Sequence, residues 1–65
     1  MTVINGKNTP EAAGKILADY LKENGYPTAG IAVEINLRII DRKSCGEYVI
    51  GENDVIEIVS FVGGG

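Results

Sequence analysis

One segment alone, Lys15 to Asn24, has a sustained helical period, and the segments around it are short and β-branched. Leu17, Tyr20, Leu21 and Ala13 fall on one face of that helix, with Ile16 at its edge. Lys15, Asp19, Lys22 and Glu23 lie largely away from it, and Asp19 and Lys22 are spaced for a weak surface pair. A single amphipathic helix can cover one face of one sheet, so the opposite face of that sheet must stay partly open. Gly25 suits the position just past the helix end, and Pro27 prevents continuation. The stripe reads as core packing.

The flanking segments supply the sheet. Met1 to Ile4 is apolar and is followed by Asn5-Gly6, a dipeptide whose two residues both accept positive φ. Residues 1–4 and about 7–12 therefore read as the arms of a hairpin. Thr9-Pro10-Glu11 carries a competing signal, a helix N-cap with proline in the first turn. Gly14 is costly inside a helix, which places the helix start after it. Gly30 to Ile35 alternates, with Ile31, Val33 and Ile35 on one face and Ala32 and Glu34 on the other. Asn36 is a turn residue, and Arg38-Ile39-Ile40 is a further short strand. Asp41 to Tyr48 is polar and irregular, with room for one helical turn, and Gly51-Glu52-Asn53-Asp54 is a loop. Val55 to Val62 is the last strand, expected beside the first in the middle of the sheet. The expectation is a small α+β roll: a mixed sheet of about four to five strands packed on one main helix.

The last strand runs into Gly63-Gly64-Gly65. Without Cβ atoms, a glycine tail can enter a cleft that excludes larger residues, and three extended residues reach about 10 Å. The candidate reactive group is thus the C-terminal carboxylate of Gly65, with Gly63 and Gly64 as its arm. On the last strand, Ile56 and Ile58 share the core alternation. Val59, Phe61 and Val55 share the other, and an apolar patch beside the tail is suited to docking a partner. Val59, Phe61 and Val62 are the expected docking residues.

Composition narrows the function. The chain has 65 residues, which is room for one domain, residues 1–65 with 63–65 as the reactive tail. A net charge of −3 argues against nucleic-acid binding and favours a partner with a basic face. No apolar stretch approaches a membrane span and no secretory signal is visible, so a cytoplasmic location is expected. Histidine is absent, which removes the commonest metal ligand and general base. Cys45 is the sole cysteine; without a histidine to activate it, it reads as a small, partly buried loop residue and not a nucleophile. Glu52 and Asp54 read as turn residues beside Asn53. No metal site and no catalytic residues of the chain's own are expected.

The ending Asn53-Asp54-Val55-Ile56-Glu57-Ile58-Val59-Ser60-Phe61-Val62-Gly63-Gly64-Gly65 resembles the C-terminal signature of the sulfur carriers of thiamine biosynthesis, the ThiS family. Asn5-Gly6, Gly14, Ile35-Asn36 and Ile39-Ile40-Asp41-Arg42 stand at that family's spacing, so the resemblance covers essentially the whole chain. Leu37, Asp41, Cys45 and Asn53 depart from the family pattern, all in loops or on the surface. The resemblance implies a ubiquitin-like β-grasp fold. It implies that a ThiF-like adenylyltransferase uses ATP-Mg to adenylate Gly65, that a sulfur donor protein converts it to a thiocarboxylate, and that a ThiG-like thiazole synthase takes the sulfur. The carrier itself would bind no cofactor and would be a monomer when alone. The alternatives are a sulfur carrier of another pathway, such as the small subunit of molybdopterin synthase, and a non-covalent β-grasp binding module.

Overall fold

The computed structural model describes residues 1–27 and 29–61. In chain order the elements are β1 (Val3–Ile4), β2 (Lys7–Asn8), a 3-10 helix (Pro10–Ala12), α1 (Leu17–Glu23), β3 (Ile31–Ile35), β4 (Arg38–Ile40), α2 (Arg42–Cys45) and β5 (Val55–Ser60). The five strands form one sheet in the order β2-β1-β5-β3-β4. β5 runs parallel to β1 and antiparallel to β3, so the last strand lies in the middle beside the first, as expected.

Both hairpins turn on residues with positive φ: Asn5 and Gly6 between β1 and β2, and Asn36 and Leu37 between β3 and β4. Two consecutive positive φ values match the right-handed twist of the flanking strands. The first hairpin is shorter than the sequence pattern predicts. Its second arm ends at Asn8, because Pro10 has no N–H to give a ladder and fixes its own φ. The chain turns there into the 3-10 helix, so the Thr9-Pro10-Glu11 signal prevails. Thr9 caps it without a side-chain bond; its hydroxyl donates instead to the Lys7 carbonyl at 2.9 Å.

The main helix also starts later than its period suggests, at Leu17 instead of Lys15. Tertiary pairing takes the residues before it. Gly14 N–H donates to the Ile50 carbonyl, Ile50 N–H to the Lys15 carbonyl and Leu17 N–H to the Tyr48 carbonyl, each at 2.8 Å. Ile16 and Val49 form an antiparallel bridge. Ala12, not Ala13, fills the buried position ahead of the helix. The expected Asp19–Lys22 surface pair gives way to an exposed Lys15–Glu23 contact of 2.8 Å.

The core lies between α1 and the inner face of the sheet. Leu17, Tyr20 and Leu21 pack from the helix against Ile4, Val33, Ile35, Ile56 and Ile58, with Ile50 closing one end. Ile56 and Leu17 are completely buried. Each such side chain contributes about 1.5–3 kcal/mol relative to exposure. Cys45 is buried on α2, not partly buried in a loop, because the irregular stretch closes into a helical turn capped by Asp41.

Candidate functional site

Residue alternation along β5 splits it into two working faces. Ile56 and Ile58 point into the core, while Val55, Glu57, Val59 and Phe61 point to the side that α1 does not cover. Val59 is 57% and Phe61 66% exposed, so the two expected docking residues covered by the structure do present apolar surface. The strand register extends this surface. Ala32 lies opposite Val59, and the row Glu57–Glu34–Ile39 crosses three strands. Two carboxylates therefore sit directly opposite each other on the open face, an arrangement that costs stability in the free chain. The face is apolar with an acidic stripe. Val62, Gly63, Gly64 and Gly65 lie outside the described residues.

The root of the tail is firmly placed. Ser60 pairs with Ile31, and Phe61 N–H donates to the Gly30 carbonyl at 2.8 Å. Two asparagines hold the same strand from either side. Asn5 accepts from Ile58 N–H at 2.7 Å, and its amide donates back to the Ile58 carbonyl at 3.3 Å. Asn36 accepts from Val55 N–H at 2.9 Å, and its own N–H donates to the Val55 carbonyl at 2.8 Å. Both asparagines were legible as turn residues. Their grip on β5 was not, because it spans 53 and 19 residues of sequence.

Asp54, at the entrance to β5, is buried, not a solvated turn residue. Its carboxylate accepts from Gly51 N–H at 2.8 Å, from the Asn36 amide at 2.9 Å and from the Tyr48 hydroxyl. Burial pushes its pKa up, but the bonds from Tyr48, Gly51 and Asn36 together hold it below the ordinary carboxyl value. The hydrogen bond to Asp54, reinforced by burial, pushes the Tyr48 phenol up to about 12. The network fixes the loop from which the strand and its tail depart. Sequence offered one weak signal for it, a carboxylate immediately before a β-branched run.

Cys45 is unsuited to nucleophilic chemistry. Burial, and then the Asp41 charge, raise its pKa, and its thiol donates to the Asp41 carbonyl at 3.5 Å. Among the described residues, no group of three His, Cys, Asp or Glu side chains could hold a metal ion. No described helix is long and apolar enough to cross a membrane.

The model of the ThiS family matches residues 2–65. The chain belongs to the ThiS family. Two curated relatives, each named thiazole synthase, are 36% identical over 63 residues (Paramagnetospirillum magneticum) and 37% identical over 62 residues (Magnetococcus marinus). The alignments cover 97% and 95% of this chain but 19% of each relative, so the chain spans about a fifth of their length. The crystal structure of a thiamine biosynthesis protein (ThiS) from Geobacter metallireducens superposes with a TM-score of 0.75 at 24% identity, covering 98% of this chain and 97% of that one. That likeness bears on the fold, which is the ubiquitin-like β-grasp that the resemblance implied. Within the ThiS family frame, the departures at Leu37 and Asp41 occupy a hairpin turn and a helix cap.

Proposed function

We propose that this chain is a sulfur carrier of thiamine biosynthesis, acting as a protein co-substrate, with the Gly65 carboxylate as the group that is modified. The observation that carries the reading is the family match, which runs through residue 65 and includes the glycine tail. A free carboxylate is a poor electrophile. In a ThiF-like partner its oxygen would attack the α-phosphorus of ATP held with Mg, releasing pyrophosphate and forming an acyl adenylate. Hydrosulfide released by a sulfur donor protein would then attack the acyl carbon, AMP would leave with the oxygen it carries to phosphorus, and the thiocarboxylate would remain. Sulfur would pass from it to a thiazole synthase. That two relatives carry this unit within chains named thiazole synthase supports the last step.

The chain's own contribution is positioning. β5 is pinned along its length by Asn36, Asn5 and Gly30, so the tail departs from a fixed point. Val59, Phe61 and Val62 would dock the activating partner, and the Glu34–Glu57 pair favours an activator that places cationic side chains opposite it. No nucleic acid or membrane enters this scheme, and the setting would be the cytoplasm. The test is intact mass spectrometry after incubation with ATP-Mg, a ThiF-like adenylyltransferase and a sulfur source. A sulfur-for-oxygen exchange localised to Gly65 is expected. Deleting Gly65 or appending a residue after it should abolish the exchange and leave the fold unchanged; retained transfer in the extended variant overturns the reading.

A further inference from the structure

β1 is too short to accompany β5 to its end. The two strands pair at Val3–Val55 and Ile4–Ile56, and Asn5 N–H then donates to the Ile56 carbonyl at 2.8 Å. There β1 leaves the sheet, because Asn5 takes the left-handed φ of 51° that opens the first turn. β5 continues to Ser60 with only β3 alongside. The ladder fixes which groups this leaves bare. Phe61 N–H donates to the Gly30 carbonyl, so Glu57, Val59 and Phe61 turn their N–H and C=O toward β3, and Ile58 turns its own toward the side that β1 has left.

The Asn5 side chain meets both of these groups. Its Oδ1 accepts from Ile58 N–H at 2.7 Å, and its Nδ2 donates to the Ile58 carbonyl at 3.3 Å. A carboxamide carries the donor and the acceptor of a peptide group, so one side chain stands in for the strand residue that β1 does not supply. Among the described residues, these are the only hydrogen bonds to β5 from that side beyond Ile56. Asn36 holds the start of the strand at Val55, whereas Asn5 holds it close to Phe61, the last described residue before the tail.

We propose that Asn5 is a positioning residue for activation of the tail: by closing the bare edge of β5 at Ile58, it fixes the direction in which the Gly65 carboxylate is presented to the activating partner. The proposal rests on the sulfur-carrier reading. Without this grip, Val59 to Phe61 keep their bonds to β3 but can twist about that one seam, and a small displacement at the root grows along an extended tail. Attack of the carboxylate oxygen on the α-phosphorus depends on alignment, and a misplacement of about 1 Å can cost on the order of 100-fold in rate. Val59 and Phe61 remain on the β3-paired strand, so docking persists and the loss falls on kcat more than on KM.

The test is steady-state adenylation of the full chain by a ThiF-like adenylyltransferase with ATP-Mg, followed as pyrophosphate release, with each variant assayed where circular dichroism shows it folded. Asn5→Gly keeps the left-handed turn, which glycine adopts freely, and removes both side-chain bonds. It should lower kcat about tenfold, change the KM for the carrier by less than about twofold, and speed amide hydrogen exchange at Ile58. Asn5→Asp keeps an acceptor for Ile58 N–H and should retain more of kcat than Asn5→Gly. Ile50→Val destabilises the fold from a buried site outside β1 and β5 and should leave kcat at the parent value. Any of four results overturns the proposal: unchanged kcat in Asn5→Gly, unchanged Ile58 exchange in Asn5→Gly, a loss in Asn5→Asp as large as in Asn5→Gly, or an equal loss in Ile50→Val. A parent chain that is not adenylated at all overturns the sulfur-carrier reading and this inference with it, a failure distinct from any seen among variants of an active parent.

Discussion

Removing the Asp54 carboxylate should cost this domain a large share of its stability. Asp54 is 9% exposed and accepts three hydrogen bonds, from Gly51 N–H, the Asn36 amide and the Tyr48 hydroxyl. A hydrogen bond to a charged group contributes about 1.5–3 kcal/mol net. In Asp54→Ala the exposed Asn36 and half-buried Tyr48 regain water, so the three bonds are not all lost in full. The Gly51 N–H is the least replaceable, and the expected loss is about 3 kcal/mol. A domain of 65 residues has roughly 3–10 kcal/mol in total, so this is a third or more of it. Urea unfolding should show it as a lowered midpoint, and thermal unfolding as a drop of roughly 12–24 °C.

The same variant has a pH signature. The Asp54 pKa is lowered in the folded state, so its contribution is present above the unfolded carboxyl pKa and is lost as pH falls through the folded value. The Tyr48 pKa is raised to about 12, so its contribution is complete below the unfolded phenol pKa and is lost as pH rises through about 12. In Asp54→Ala the acid-side dependence should vanish and the alkaline one shrink, with the Tyr48 ring resonance titrating below about 12 because burial alone is left to raise it. A variant within about 0.5 kcal/mol of the parent, with Tyr48 still titrating near 12, would refute the reasoning.

Two further outcomes follow from single residues. Leu37 holds a φ of 71° while 90% exposed, so it bears left-handed strain without packing in return. Leu37→Gly should raise stability by about 0.5–1 kcal/mol in urea, the relief of strain less the entropy that glycine loses on folding; a destabilised variant would count against the strain. Phe61→Asp alters a largely exposed side chain, so stability should move by less than about 0.5 kcal/mol. Adenylation by a ThiF-like partner should nonetheless slow by about tenfold, and an unchanged rate would remove Phe61 from the docking surface.

Some of this was legible in the chain because the deciding physics is local. The Ile56/Ile58 alternation, the positive-φ turns at Asn5-Gly6 and Asn36, and the stop at Gly25 each depend on a few adjacent residues. The strand character of residues 55–60 and the exposed set Val59 and Phe61 follow from period and from having one helix to share. Long-range pairing was not legible. The helix lost its first turn to hydrogen bonds with residues 48–50, and nothing near Lys15 announces them. Asp54 looked like a solvated turn residue because its three donors come from Asn36, Tyr48 and Gly51, which meet only after the hairpin closes.

By itself, then, the amino-acid order determined that this chain would make one main helix over one β-rich layer and leave an apolar side open. Tertiary structure decided which polar groups are buried beside the central strand and which distant residues hold it in place. The reason is range. Propensity and period act over a few residues, whereas the bonds that anchor β5 join residues up to 53 positions apart and exist only once the sheet has closed.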